Sequence, residues 1–408
     1  CATLASTFLA LDAAGRPLTP LILYSDTRAA ADSDALRASI SEAEAHQRTG
    51  CLLRASYWPA RLAWLRRARP DVWRAAARFV TLGEYVELRW RGVARVSASA
   101  AAWTGLLDRR ALSWDGPLLA ALGVPPSALA PVSAGLEPQA GLRPELAARW
   151  PALAAAAWLP AVGDGAAANI GSGCTGPGRV ALTVGTTAAV RAVLPAVEAV
   201  PPGLWCYCVD GRRALLGGAT SEGGNLFAWL RASLRLPEPA ALEAELAALP
   251  PDGHGLTLLP LIAGERSPGW AGDARATIHG ITLETTPVEI VRAALEAVAL
   301  RLALVAGALP PAARGEVVAS GGALLSSPAW LQICADALGR PIVASGEPEA
   351  SARGAALLAL EAIGLIPDAG ALPAALGAVY TPRPDALAIY QRASARQRRL
   401  YDLLVAGA

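Results

Sequence analysis

The 408-residue chain has no lysine and no methionine, and only three histidines and three phenylalanines. All 36 of its basic residues are therefore arginines. Without lysine there can be no Walker-type P-loop, no protein-kinase strand lysine and no Schiff-base nucleophile. The histidines, His46, His254 and His279, stand far apart and read as surface or satisfied core residues. Charge is scarce: 17% of residues are charged and the net charge is +2. That gives no electrostatic case for a nucleic-acid partner or an anionic membrane surface. The six cysteines, Cys1, Cys51, Cys174, Cys206, Cys208 and Cys334, form no Cys-x-x-Cys pair. Zinc and thioredoxin-like readings fail on that spacing, and scattered buried thiols in a reduced, cytoplasmic setting are expected. The longest apolar stretch, 294–309, carries Glu296 and Arg301 and is interrupted too soon to span a bilayer.

Apolar residues are plentiful, at 53%, and a chain of 408 residues is too long for one ordinary core, so two domains are expected. Residues 6–32 read strand, turn, strand, with apolar runs Phe8 to Leu11 and Leu21 to Tyr24. Residues 59–90 read as helical, and 137–160 as a connection rich in Pro and Ala. "RVALTVGTTAAVRAVL" (179–194) reads as a hairpin with Gly185 to Thr187 at its tip, and 209–234 as strand, glycine loop, helix. At "TPVE" (286–289) Thr286 and Glu289 can form a capping box around Pro287, opening a helix to about 309. At 326–341 Ser327 caps, Pro328 starts and Gly339 stops another helix, which follows the strand-and-glycine run "EVVASGG" (316–322). No repeat of fixed period is present, and the mixed order of strands and helices makes the class α/β with mixed sheets.

The stretch "VGDGAAANIGSG" (162–173) places Asp164 between two glycines. Gly163, Gly165 and Ala168 fit a dinucleotide fingerprint, but no acidic residue lies between Asp164 and Glu198 to hold a ribose. A solvated Asp-Gly turn is the plain reading. A catalytic base is the third, with the glycines leaving room for substrate beside the carboxylate. That reading needs phosphate loops elsewhere, and "GTT" (185–187) and "SGG" (320–322) could supply backbone N–H groups and hydroxyls.

The order of these pieces resembles the FGGY carbohydrate kinases, a branch of the actin-like ATPase superfamily. The resemblance is carried by "LPLIAGERSPGWAGDARATIHGITLETTPVEIVRAALEAVALR" (259–301), "ASGGALLSSPAWLQICADALGRPI" (319–342) and "EASARGAALLAL" (349–360). Gluconate kinases look closest, on "YSDTRAA" (24–30), "RTGCLLRASYWPARLAWL" (48–65), "ARFVTLGEYVELRWRG" (77–92) and "ASAAAWTGLLDRRALSWD" (98–115), and xylulose kinases share much of this frame. The resemblance implies two ribonuclease H-like domains, 1–175 for the sugar and 176–408 for the nucleotide, with the active site in the cleft between them.

It further implies ATP-dependent phosphorylation of a terminal hydroxyl on a sugar or sugar acid, gluconate first and a pentulose such as xylulose as the alternative. Asp164 becomes the general base and a Mg²⁺ contact. Asp26, Arg28 and Tyr57 fall in the sugar site, with Arg28 available to a substrate carboxylate or to a salt bridge with Asp26. Gly185, Thr186, Thr187, Gly224, Gly321, Gly322 and Ser326 fall at nucleotide positions. The partner expected is a small molecule, with the oligomeric state open and a homodimer among the options. The sequence departs from the family at Arg61, where Lys is usual, at Trp58, and at Ala228 on the adenine side. The family's opening Asp-x-Gly-Thr phosphate hairpin does not occur in it, and Cys1 aligns after that motif. The chain is therefore expected to be a piece of a longer protein, weakly active or inactive alone. A non-catalytic sugar- or nucleotide-binding relative is the second reading.

Overall fold

A computed structural model describes residues 1–407. In the first part of the chain, β1 (Ala2–Thr3) precedes β2 (Leu9–Leu11), and α1 (Trp58–Ala68) leads through a short turn of helix to β3 (Arg78–Val80) and α2 (Leu82–Arg91). β4 (Val162–Gly163) pairs in parallel with β1 and runs directly into α3 (Asp164–Gly171). Two expectations change here. The strand expected at Leu21–Tyr24 is reduced to a single bridge between Phe8 and Ile22, because β2 takes β3 as its antiparallel partner instead. The helical stretch expected over 59–90 is broken by that same β3, where Phe79 stacks on Phe8 with ring centroids 5.7 Å apart.

The second part is built on one seven-stranded sheet. The hairpin β5 (Arg179–Val184) and β6 (Ala188–Leu194) is followed by β7 (Trp205–Cys208) and β8 (Ala214–Thr220). Next come α4 (Gly224–Ser233), α5 (Pro287–Ala308), β9 (Glu316–Ser320), α6 (Pro328–Leu338), β10 (Ile342–Ser345), α7 (Ala350–Ala362), β11 (Leu376–Tyr380) and α8 (Ala386–Tyr401). The strand order is β7-β8-β6-β5-β9-β10-β11. β9 lies parallel to both β5 and β10, and the other neighbours are antiparallel. This is the mixed sheet flanked by helices that the sequence led one to expect, in a two-domain arrangement.

The helix signals act as read. Thr286 and Glu289 form a reciprocal capping box on α5, and Gly339 ends α6 in the left-handed conformation. α5 runs against the sheet with Val291, Val298, Leu302 and Val305 buried. Three of its charged residues are buried and paired: Glu296 accepts from Arg292 Nε at 2.6 Å and from His254 Nε2 at 3.1 Å, and Arg301 pairs with Glu265. Buried charges survive only when paired in this way. Among the described residues no helix is long and apolar enough to cross a membrane.

One crossing ties the two parts together. α3 and α7 meet backbone to backbone: a Cβ added at Gly171 would lie 1.7 Å from the Ala350 carbonyl oxygen, and one at Gly354 would lie 1.8 Å from that of Ala167. Neither carbonyl can retreat without breaking its own helix. Gly354→Val is expected to destabilise the protein by about 1–3 kcal/mol or more, the range for overpacked interiors. A urea midpoint equal to that of the unsubstituted protein would show that the helices can separate freely.

Candidate active site

Asp164 is the first residue of α3 and projects into a cavity of about 260 Å³ between the two parts of the chain. From the first part, Ser6, Tyr24, Tyr57 and Trp103 line it; from the sheet come Thr183, Thr187, Arg191, Trp205 and Tyr207. Asp164 is the one carboxylate in that lining. Its Oδ1 accepts from the Gly165 N–H at 2.8 Å. Burial pushes the carboxyl above the ordinary Asp range, against the lowering effects of that N–H and of the Arg191 charge. A carboxylate made more basic in this way suits proton abstraction from an alcohol.

The glycines beside Asp164 serve a different neighbour from the one expected. A Cβ at Gly163 would meet Trp103 Nε1 at 2.5 Å, and one at Gly165 would meet the far edge of the same indole at 2.9 Å. The room they leave is filled by Trp103 rather than kept for substrate. Trp103 in turn stacks on Tyr207 at 3.8 Å, and Tyr207 on Trp205 at 4.3 Å. The Tyr57 and Tyr207 hydroxyls are hydrogen-bonded to each other. The result is an aromatic wall in the same cavity as Asp164. Trp103 Nε1, Trp205 Nε1 and Arg191 Nε are buried without a hydrogen-bond partner. The Ser6, Thr183 and Thr187 side chains and the Arg191 and Arg266 guanidinium groups line the cavity, a set of donors that suits a ligand rich in oxygen acceptors.

Three glycine segments far apart in sequence converge at the β5–β6 turn. Gly224 N donates to Gly185 O at 2.7 Å, and Asn225 N to Thr186 O at 3.1 Å. Gly321 takes a positive φ of 92°, and a Cβ there would lie 2.4 Å from Val184 O. Gly224 is equally confined, with Gly185 O 2.8 Å from where its Cβ would be. Gly185 and Gly322 differ: a Cβ on either would meet nothing within 4 Å. Packing alone does not demand glycine at those two positions, whereas close approach of a phosphate would. The residues present thus fit a nucleotide at this turn.

Of the residues expected from sequence, Asp164, Tyr57 and Thr187 line one cavity. Gly185, Thr186, Gly224, Gly321 and Gly322 gather about the adjoining turn, and Ser326 is exposed with its hydroxyl on Ala323 O at 3.1 Å. Asp26 and Arg28 are not in the lining. Arg28 is bound through two nitrogens to Asp26, with Nε at 2.9 Å, and lies 4.8 Å over the Trp64 ring. Of the two roles open to it, the salt bridge is the one seen, and neighbouring Tyr24 faces the cavity instead.

Sequence reasoning missed Arg191, Arg266, Trp103, Trp205 and Tyr207, all in the lining. Arg266 stood in plain view within "GERSPGW", and Arg191 is the one charged residue of β6. Five cysteines are buried and Cys1 is exposed, all of them free. Asp252, His254 and Glu296 come together, but Arg396 already pairs with Asp252 and Arg292 with Glu296, so the group is structural. His46 is buried on Leu204 O at 2.8 Å.

Residues 2–171 match the model of the FGGY carbohydrate kinase N-terminal domain, and residues 180–363 that of the C-terminal domain. The chain belongs to the FGGY family of carbohydrate kinases. It is 26% identical over 399 residues to a gluconokinase of Bacillus subtilis, covering 94% of this chain and 78% of that protein. It is 32% identical over 374 residues to a glycerol kinase of Aromatoleum aromaticum, covering 86% of this chain and 72% of that one. The crystal structure of a gluconate kinase from Lactobacillus acidophilus superposes with a TM-score of 0.92 at 25% identity, over 99% of this chain and 83% of that one.

The raised carboxyl makes a stability prediction. The folded protein keeps the Asp164 proton to higher pH than the unfolded chain does, so stability falls as pH rises from the ordinary Asp range through the raised value. Asp164→Asn removes that penalty. The variant should melt above the unsubstituted protein at pH 7 and lose that advantage as pH falls through the ordinary Asp range. A lower melting temperature at pH 7 would contradict the burial argument.

Proposed function

We propose that this protein transfers the γ-phosphoryl group of ATP to a terminal hydroxyl of a sugar acid, gluconate before xylulose or another pentulose. The observation that carries the reading is the placement of Asp164. It is a half-buried carboxylate at the head of α3, beside an aromatic, donor-rich cavity and next to a glycine turn with open space over Gly185 and Gly322. Asp164 takes the hydroxyl proton as the oxygen attacks phosphorus. The aromatic wall presents apolar faces to the carbon chain, and the Ser6, Thr183 and Thr187 hydroxyls and the Arg191 and Arg266 guanidinium groups of the lining hold its hydroxyls. The backbone at Gly185–Thr187, Gly224 and Gly321–Gly322 cradles the phosphates. Mg²⁺, when bound with the nucleotide, neutralises phosphate charge, and Asp164 offers it one hard oxygen. Gluconate is put first on the likeness of segments 24–30, 48–65, 77–92 and 98–115 to gluconate kinases, while relatives named for gluconate and for xylulose alike align over nearly the whole chain. Residues 1–175 would then carry the sugar and 176–408 the nucleotide.

A coupled ADP-release screen over gluconate, xylulose, ribulose and glycerol, at the high protein concentrations a slow reaction needs, tests this reading. Gluconate should give the highest rate. Asp164→Asn should lower it by about 10²–10⁴, the usual worth of a positioned base. Near-normal turnover by the Asn variant would overturn the base assignment, and a clear preference for xylulose would overturn the substrate.

A further inference from the structure

The cavity carries two guanidinium groups, Arg191 and Arg266, against a single carboxylate, Asp164. The two arginines are not equivalent. Arg191 already has Asp164 as its opposite charge: the Asp164 carboxylate supports the Arg191 cation, although burial outweighs it and lowers the Arg191 pKa. Arg191 also reaches Thr183 Oγ1 at 3.5 Å. Among the described residues Arg266 has no carboxylate within ion-pair distance. Its sequence neighbour Glu265 turns the other way and is fully used, pairing with Arg301 and accepting from Tyr401 Oη at 2.6 Å. Glu222 feels the Arg266 charge, but it is buried with the Ala263 N–H at 3.3 Å, and burial pushes its carboxyl up to about 7.

The backbone holds Arg266 in place. Ser267 N donates to Ala219 O at 2.9 Å, at the end of β8, and Trp270 Nε1 donates to Gly203 O at 2.9 Å. The guanidinium carbon lies 5.8 Å from the centre of the Tyr24 ring, which also lines the cavity. This is a half-buried cation on a fixed loop, braced by an aromatic face and left without a counter-charge. Arginine in such a setting matches the planar, two-oxygen geometry of a carboxylate.

Resting on the reading of this cavity as the sugar site, we infer that Arg266 is the residue that recognises the carboxylate of a sugar-acid substrate. An anionic substrate brings the cavity to two positive and two negative charges. A neutral polyol leaves Arg266 unmatched, so the site discriminates by charge as well as by hydroxyl pattern. Asp164 and Arg191 mark the reacting end of the substrate, and Arg266 marks the acid end. The role expected of Arg28 from sequence thereby passes to Arg266.

The test is isothermal calorimetry on the full chain with D-gluconate and with D-glucitol, which keeps the carbon chain and replaces the carboxylate with a hydroxymethyl group. The unsubstituted protein should bind gluconate at least about tenfold more tightly, and the preference should shrink as salt is raised. Arg266→Gln should bring the two ligands to near parity mainly by weakening gluconate. Arg266→Lys, which keeps the charge and loses the fork, should retain part of the preference. Thermal melts of both variants establish that they fold.

An undiminished preference in Arg266→Gln would overturn the inference, as would loss of preference in Arg28→Gln with Arg266 intact. Equal binding of gluconate and glucitol by the unsubstituted protein would overturn it while leaving the sugar-site reading standing. Binding of neither ligand would overturn both.

Discussion

The backbone contact between α3 and α7 is the constraint on which the site depends. Gly171 and Gly354 have no Cβ at the crossing, so the Ala350 and Ala167 carbonyls lie where their side chains would be. Close packing of this kind transmits position rather than absorbing it. α3 carries Asp164 at its head, and α7 follows β10 of the large sheet. Asp164 is therefore located by the same sheet that forms the glycine turn. A small change in how the helices cross would move the carboxylate relative to the place a phosphate would occupy, and positioning is most of what a phosphoryl-transfer enzyme supplies.

A second layer of the design is aromatic. Trp205 and Tyr207 project from alternate positions of β7 to the same face, and Trp103 completes the stack from the first part of the chain. Gly163 and Gly165 admit the Trp103 indole against the Asp164 loop. One residue thus links the loop that carries Asp164 to the wall that would carry the sugar. It also contributes to the burial that raises the Asp164 carboxyl. The same packing serves recognition and reactivity, since desolvation both excludes water and strengthens the base.

Much of the framework was legible in the sequence because local signals and tertiary context agree there. The "GTT" hairpin, the Thr286 capping box and the Ser327–Gly339 helix all form where their residues point. Asp164 and the glycine segments were legible through their order along the chain, which carried the resemblance. What escaped was facing. β7 is buried on both sides, so alternation cannot say which of Trp205, Cys206, Tyr207 and Cys208 looks into the cleft. Arg28 stayed ambiguous for a related reason: Asp26, two residues away, pairs with its guanidinium, and no pattern in "SDTR" distinguishes that pairing from a ligand contact. The helical reading of 59–90 missed β3, which forms because Phe79 finds Phe8 and Trp73 as ring partners.

The central claim is that the cavity beside Asp164 directs a phosphoryl group from nucleotide to a substrate hydroxyl rather than to water. The most direct measurement is a ³¹P NMR time course of the protein with ATP, Mg²⁺ and gluconate. The account predicts a new phosphomonoester signal, coupled to the protons of the terminal CH₂ and growing in step with ADP. Growth of inorganic phosphate in its place would show that the site does not exclude water or position the hydroxyl, and would contradict the account.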